Sequence, residues 1–298
     1  MNFSLVRSKE KWNEFFYSEL TLPTPDLLRI GYSFLLLINF LVLGLDLEMF
    51  FFESGLMPYE ASRTLVEVDA WTLFSLLPKT DFSIHVGYCL IILHLTALLL
   101  GWKCRLNAIG AFIWMVSFQN RHNILFDGED TVFRLLGFLL IFMPIGRRWA
   151  LDKKKNINSL GEIWSVRLLQ IQITLIYFST AVMKIRGEDW QNGLALHYIK
   201  GLDDLFGRFP VPDFLLNANG LGMYMTWAVL IFELALPFAL WKKNHRIYAI
   251  TAGIIFHLSI DYAMNLFLFQ WLMILGLISF IEKEEWSWLQ KKVPFLKR

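Results

Sequence analysis

Apolar stretches long enough to cross a bilayer recur along this chain, and no other feature limits its fold as strongly. A spanning helix needs about 20 mostly apolar residues. Candidate spans fall at residues 27–46, 82–101, 105–120, 131–147, 163–185, 221–241, 247–262 and 266–282. The third and the last two are short or closely spaced, which implies tilt or a re-entrant segment. The predicted fold class is therefore all-α, a polytopic transmembrane helical bundle of about eight spans in a single domain over residues 1–298. Composition agrees, because 56% of residues are hydrophobic and only 18% charged, against roughly 25% charged in a soluble domain. The 27 Phe and 12 Trp residues suit lipid-facing helices and interfacial aromatic belts.

The basic residues give an independent orientation. With both termini inside, 18 of the 28 Lys and Arg residues fall on the cytoplasmic side and 6 on the outer side. The densest cluster is Arg147, Arg148 and Lys153–Lys155. This asymmetry is the positive-inside pattern and predicts an N-in/C-in bundle. The outer loops are acidic, with Glu48, Glu53, Glu60, Glu67, Asp69 and Asp81 in the first, Asp127, Glu129 and Asp130 in the second, and Glu188, Asp189, Asp203, Asp204 and Asp213 in the third. The elaborate face is thus the non-cytoplasmic one.

Residues 1–26 combine Arg7, Lys9 and Lys11 with Trp12, Phe15, Phe16 and Tyr17. They lack the apolar core of a signal peptide and read as an amphipathic segment on the membrane surface. Residues 283–298 read as a cytoplasmic tail. The cysteines Cys89 and Cys104 are too few for a disulfide framework. No basic stripe with interleaved aromatics points to nucleic acid. Phosphate-loop, dinucleotide, zincin and nucleophile-elbow motifs do not occur, and the acidic and His residues show no regular metal spacing.

Charges at membrane depth cost several kcal/mol unless paired or hydrated, so each is a functional candidate. Lys184 closes the fifth span, just before Glu188, Asp189 and Trp190. Either it snorkels toward the headgroups, or it sits unpaired in a partly apolar pocket. There desolvation favours the neutral amine and makes it a general base. Glu233 lies mid-span, four residues before Pro237, which frees a backbone carbonyl. It is either a neutral hydrogen-bonded acid or part of a site. His257 and Asp261 share one helical face at i and i+4. Their pairing either orients the imidazole for proton transfer or is a structural bond. Arg134 stands one turn past Asp130 and reads as its architectural partner at the outer end of span four.

Four segments together resemble a known family. They are Asn120-Arg121-His122 with Asp127-Gly128-Glu129-Asp130-Thr131 and Arg134; Phe142-Met143-Pro144 with Trp149-Ala150-Leu151-Asp152; Tyr177-Phe178 through Lys184 to Asp189-Trp190 and Gly193; and Phe256-His257. Their order and spacing are similar to the HTTM domain, the transmembrane part of vitamin K-dependent γ-glutamyl carboxylases and of shorter bacterial relatives. The resemblance covers roughly residues 20–282.

The resemblance implies that Lys184 is the base toward a vitamin K hydroquinone, and that His257 corresponds to the family's membrane histidine. Glu129 stands close to the position where the carboxylases carry another catalytic histidine, with His122 nearby but out of register. The carboxylases' large luminal domain has no counterpart in this sequence. The expected context is therefore that of short relatives in toxin-maturation systems, including the sporulation-delaying type, which act beside a small partner protein on a secreted peptide precursor.

The expected function is a membrane enzyme of the plasma membrane with an extracytoplasmic active face. Lys184 and His257 are the expected catalytic residues. Glu233, Glu129, His122, Asp189, Trp190 and Asp261 are expected to line the pocket or bind substrate. The expected cofactor is reduced vitamin K (menaquinol) or a similar quinol, with no metal. The alternative is a non-enzymatic membrane partner for a secreted peptide toxin, its acidic outer loops holding a cationic peptide.

Overall fold

The computed structural model describes residues 2–18, 23–64, 70–122, 125, 127–152, 163–266 and 268–292. The predicted topology residues Lys153–Lys155, the loop acids Glu67 and Asp69, and the tail residues Lys297 and Arg298 lie outside the described residues. The chain divides into two compact units, residues 1–167 and 168–298. The described regular structure is helical apart from one isolated bridge, Phe206 to Met264.

The first unit opens with α1 (Asn2–Tyr17), followed by α2 (Thr24–Leu43), which runs through a 3-10 turn into α3 (Leu47–Phe51). α4 (Tyr59–Thr64) is short. α5 (Asp81–Leu100), α6 (Cys104–Arg121) and α7 (Gly128–Phe142) complete the unit. α8 (Ile163–Arg186) begins in it and continues into the second unit. α2 packs on α5 and α7, and α6 packs on α5 and α7. Their common core holds the fully buried Leu36, Ile91, Leu95, Leu98 and Leu136. The rings of Phe40, Phe51 and Phe74 converge on Phe118 at 5.4, 5.3 and 5.0 Å between centroids. Such edge contacts add about 0.5–1.5 kcal/mol each beyond area burial.

The second unit continues with α9 (Glu188–Gln191), α10 (Ala195–Ile199), α11 (Leu221–Leu240), α12 (Arg246–Ala263), α13 (Phe269–Ile278) and α14 (Lys283–Lys292). α12 packs on α11 and α13. The segment before α11 is closed by the Phe206–Met264 bridge, with Gly207 N–H donating to the Ala263 carbonyl at 3.0 Å and Asn265 N–H to that of Leu205 at 2.8 Å.

Every stretch predicted to span contains a helix, the last of them only the ten-residue α13 within 266–282. Four helices, Thr24–Phe51, Asp81–Leu100, Ile163–Arg186 and Leu221–Leu240, are long and apolar enough to cross a membrane. Only 28% to 33% of the residues in their apolar windows are buried within the protein. The remainder, such as Phe34, Phe82, Leu175, Ile231 and Phe238, is exposed and suited to lipid rather than water. The largest boundary difference falls at the fourth stretch. The 131–147 stretch stops being helical at Phe142, where Met143 turns extended (ψ 153°). Pro144 has no N–H to donate and disfavours helical geometry at the residue before it.

A buried ion pair locks the first unit. Asp26 and Arg29, one turn apart on α2, are 2% and 0% exposed. Arg29 Nη1 donates to the carbonyls of Leu98 and Leu99, at 2.6 and 2.8 Å. Its Nη2 donates to those of Trp149 and Arg148, at 2.7 and 3.3 Å, and Nε to Asp26 Oδ1 at 3.3 Å. The Asp26 carboxylate in turn accepts the backbone N–H groups of Gly146, Arg147 and Arg148. The Trp149-Ala150-Leu151-Asp152 segment docks on the end of α5 in the same place. Leu151 N–H donates to the Leu100 carbonyl, and Asp152 accepts Lys103 N–H at 2.8 Å. Gly101 has φ +76°, and a Cβ there would come within 2.5 Å of Ala150 Cα, so this docking requires glycine.

Candidate functional site in the second unit

One face of α8 carries Gln170, Thr174, Tyr177, Ala181 and Lys184 at alternating spacings of four and three residues. That spacing aligns side chains along one stripe of a helix. All four polar members bond to other helices of the second unit or to the residues that cap them. Gln170 Nε2 donates to the Ser279 carbonyl at 2.6 Å, and Thr174 Oγ1 accepts Trp241 Nε1–H at 2.9 Å. Tyr177 Oη meets His257 Nε2 at 2.5 Å, and Lys184 Nζ meets Glu233 Oε1 at 2.5 Å. Interhelical hydrogen bonds of this kind average roughly 0.6 kcal/mol each in a membrane bundle.

The expectation of an unpaired Lys184 amine is corrected by the pair with Glu233. The physical reason is the cost of burying a lone carboxylate. Glu233 is only 6% exposed, and an ionised acid at that depth stands only beside a cation. Lys184 also lies 5.0 Å from the centre of the Trp190 ring, a cation–π distance. The Glu233 carboxylate is half satisfied, because Oε2 is buried with no hydrogen-bond partner. An orphaned buried acceptor costs about 1–3 kcal/mol, more when charged. Pro237, four residues on within α11, removes the N–H that would have bonded the Glu233 backbone carbonyl.

The expected His257–Asp261 pair is likewise corrected. His257 is 3% exposed. Its Nδ1 lies 2.5 Å from Gln270 Oε1 on α13, and its Nε2 faces Tyr177. An amide oxygen only accepts, so Nδ1 carries the hydrogen and Nε2 accepts the Tyr177 hydroxyl proton. Asp261 pairs instead with Arg208 Nη1 at 2.8 Å. One further turn along α12 carries it toward the loop that supplies this arginine, and the inward position is taken by uncharged partners.

These groups open onto one cavity of about 410 Å³, within the range of small-molecule sites. Tyr177, Thr180, Lys184, Trp190, Glu233, His257 and Gln270 line it together with apolar side chains, among them Ile176, Leu196, Val229 and Phe256. The arrangement places a paired lysine, a half-satisfied carboxylate and a tyrosine–histidine pair against a mostly apolar space. Chemically, it can bind an apolar molecule by its polar end and move a proton there.

The rim reads differently at its two predicted residues. Trp190, on the one-turn α9, faces the cavity, whereas Asp189 is exposed and outside the lining. Gly193 ends this turn at φ +75°, and a Cβ there would strike Met223 Cγ at 2.3 Å. The spacing from Asp189-Trp190 to Gly193 is therefore that of a tight turn under the cavity wall.

Glu129, His122, Asp130 and Arg134 belong to the first unit and do not line this cavity. Glu129 is buried and accepts Asn39 Nδ2–H at 3.0 Å. His122 follows the end of α6, packed against Phe50 and Phe51, with Nδ1 buried and without a hydrogen-bond partner. Burial holds its imidazole below its ordinary value. Asp130 and Arg134 converge on Gln119. The amide Nε2 donates to Asp130 at 2.7 Å, and Arg134 Nε donates to Gln119 Oε1 at 2.6 Å. Asp130 also completes a capping box with Asp127 at the start of α7.

Sequence reasoning missed Tyr177 and Gln270 as cavity residues, and Asp26–Arg29 as the lock of the first unit. The signal for Tyr177 was the polar stripe at four–three spacing along an otherwise apolar span. No comparable signal marks Gln270, whose role depends on a histidine on the preceding helix.

Comparison with known proteins agrees with the membrane architecture. The HTTM domain model matches residues 66–286. Sporulation-delaying protein SdpB of Bacillus subtilis (strain 168) is 26% identical over 243 residues, covering 76% of this chain and 73% of SdpB. Uncharacterized protein YitO of the same strain is 23% identical over 214 residues, covering 67% of this chain and 66% of YitO. No solved structure matches the chain. The chain therefore belongs to the HTTM-domain family, as an integral membrane protein related to SdpB.

Proposed function

We propose that this chain is a membrane enzyme that helps mature a secreted peptide at the extracytoplasmic face of a bacterial-type plasma membrane, with the second-unit cavity as its working site. The reading includes an eight-span N-in/C-in bundle forming one functional domain. The basic residues support that orientation, and each of the eight predicted stretches contains a helix. The observation that carries the proposal is the convergence of Lys184, Glu233, Tyr177 and His257 on one largely apolar cavity. A lipophilic quinol, such as menaquinol, suits such a space and would supply redox chemistry when bound. Lys184 and Glu233 together accept the proton, the carboxylate taking it while Lys184 holds the carboxylate in place, and His257 with Tyr177 orders the opposite wall. A small partner protein delivers the peptide. The test replaces Lys184 with Met at its chromosomal locus in the source organism, and secreted peptides are then profiled by mass spectrometry. Loss of one processed or modified peptide is expected, with unchanged protein level. An unaltered profile sinks the catalytic reading. Lipid extraction of the purified protein would test the cofactor, since an extract without quinone removes it.

A second reading is favoured by exposed carboxylates in the second unit, Glu188, Asp189, Asp203 and Asp204. They suit a non-enzymatic partner that holds a cationic peptide at the outer face. In that case neutralising these residues abolishes peptide capture, capture weakens with salt, and Lys184→Met has little effect.

A further inference from the structure

The polar end of the second-unit cavity has an unmet requirement, and it is for a donor. Glu233 Oε2 is buried and has no partner, while Oε1 is taken by Lys184. Most of the other polar atoms of the wall are already committed. Tyr177 and His257 bond each other, and His257 Nδ1 bonds Gln270. Thr180 Oγ1 donates to the carbonyls of Ile176 and Tyr177, and Ser259 Oγ to that of Phe256. Among the described residues, none supplies a hydrogen to Oε2.

Charge sets a second condition. Lys184 and Glu233 balance each other, so a charged ligand would leave net charge in a poorly hydrated space. The apolar lining, from Ile176 to Met273, sets a third, because most of the ligand must be hydrocarbon. We propose that the cavity binds a neutral, largely apolar molecule carrying an O–H or N–H donor, and that Glu233 Oε2 receives this donor. Lys184 acts on the ligand through the carboxylate that it holds in place. The inference rests on the reading of this cavity as the working site, and it makes Glu233 the residue that recognises the ligand.

Discrimination follows from the same atoms. A ligand with a donor completes the carboxylate's hydrogen bonding, whereas one with only acceptors leaves Oε2 orphaned in a drier site. The probe pair is 4-heptylphenol and its methyl ether, which share an apolar body and differ in the O–H. The full-length protein in lipid nanodiscs is titrated with each by calorimetry, with empty nanodiscs subtracted. The phenol should bind at least ~10-fold more tightly than the ether. Glu233→Gln, which keeps the shape and removes the charge, should cut that preference at least ~3-fold, because charge-assisted hydrogen bonds are about twice as strong as neutral ones. Ether binding at wild-type strength shows that the variant cavity is intact. In the double variant Lys184→Met/Glu233→Leu, which leaves no unpaired charge, the preference should vanish. Equal binding of phenol and ether to the wild type overturns the inference, and so does a preference that survives both variants. Peptide profiling separates this inference from the enzymatic reading. Equal binding alongside a profile altered by Lys184→Met removes the recognition role alone. A phenol preference alongside an unaltered profile removes the enzymatic role alone.

Discussion

The two units bury charge in opposite ways. In the first, Arg29 spends all five of its N–H donors, four of them on backbone carbonyls, and Asp26 collects three backbone N–H groups. Arg121 is tied in part the same way, to the carbonyls of Phe51 and Met57, but also to the side chains of Ser62 and Glu53, and its Nε has no partner. In the second unit, Lys184, Glu233, Tyr177 and His257 bond side chain to side chain, face a cavity, and leave one carboxylate oxygen unserved. A charge fully enclosed by backbone fixes chain geometry and has nothing left for a ligand. A charge held by another side chain keeps spare capacity, and the fold places that capacity beside open space.

The largest test of this contrast is Arg29→Leu. It leaves Asp26 charged and buried, and breaking a buried pair from one side costs about 3–5 kcal/mol. The folded fraction after heating in detergent should collapse. A variant as stable as the parent would end the architectural reading. Next comes Lys184→Met, expected to cost less, on the order of 1–3 kcal/mol, because Glu233 faces a cavity instead of packed backbone. Adding Glu233→Leu should recover much of that loss while leaving the peptide profile altered. If the double variant is less stable than either single one, the pair is structural. Tyr177→Phe is smaller still, at about 0.6 kcal/mol and at most about 1.7, and the same thermal assay should barely register it. An effect comparable to that of Arg29→Leu would erase the difference between the units.

The smallest expected effect concerns a second exception in the first unit, His122, whose buried Nδ1 lacks a partner. Burial disfavours its imidazolium, so its folded value lies below the unfolded one. The unfolded chain then takes up the proton first. The stability contribution is full above about pH 6.5 and is lost as pH falls toward the depressed folded value. A thermal scan from pH 7.5 to 5.5 should show a falling midpoint that His122→Phe flattens. An identical slope in the variant would locate the titration elsewhere.

Much of the helix inventory was legible in the sequence. Apolar length marks a membrane helix without reference to its neighbours, and Pro144 explains the boundary that moved furthest. Lys184, Glu233, His257 and Trp190 were legible as candidates because charge or an interfacial ring at membrane depth is conspicuous. Their partners were not. His257 and Asp261 share a face of α12, yet the imidazole turned to Tyr177 and Gln270 on other helices, while Asp261 met Arg208. Glu129 and His122 appeared related to the site by motif spacing, and the structure places them in the first unit.

The order and positions of the apolar segments, their helical character and the short set of ionisable residues at membrane depth are properties of the chain read one stretch at a time, because hydrocarbon length and backbone satisfaction act locally. Which of those residues meet is not local. The Lys184–Glu233 and Tyr177–His257 pairs join positions 49 and 80 residues apart. Only packed helices set which side chains lie within 3 Å of each other and which oxygen is left facing a cavity.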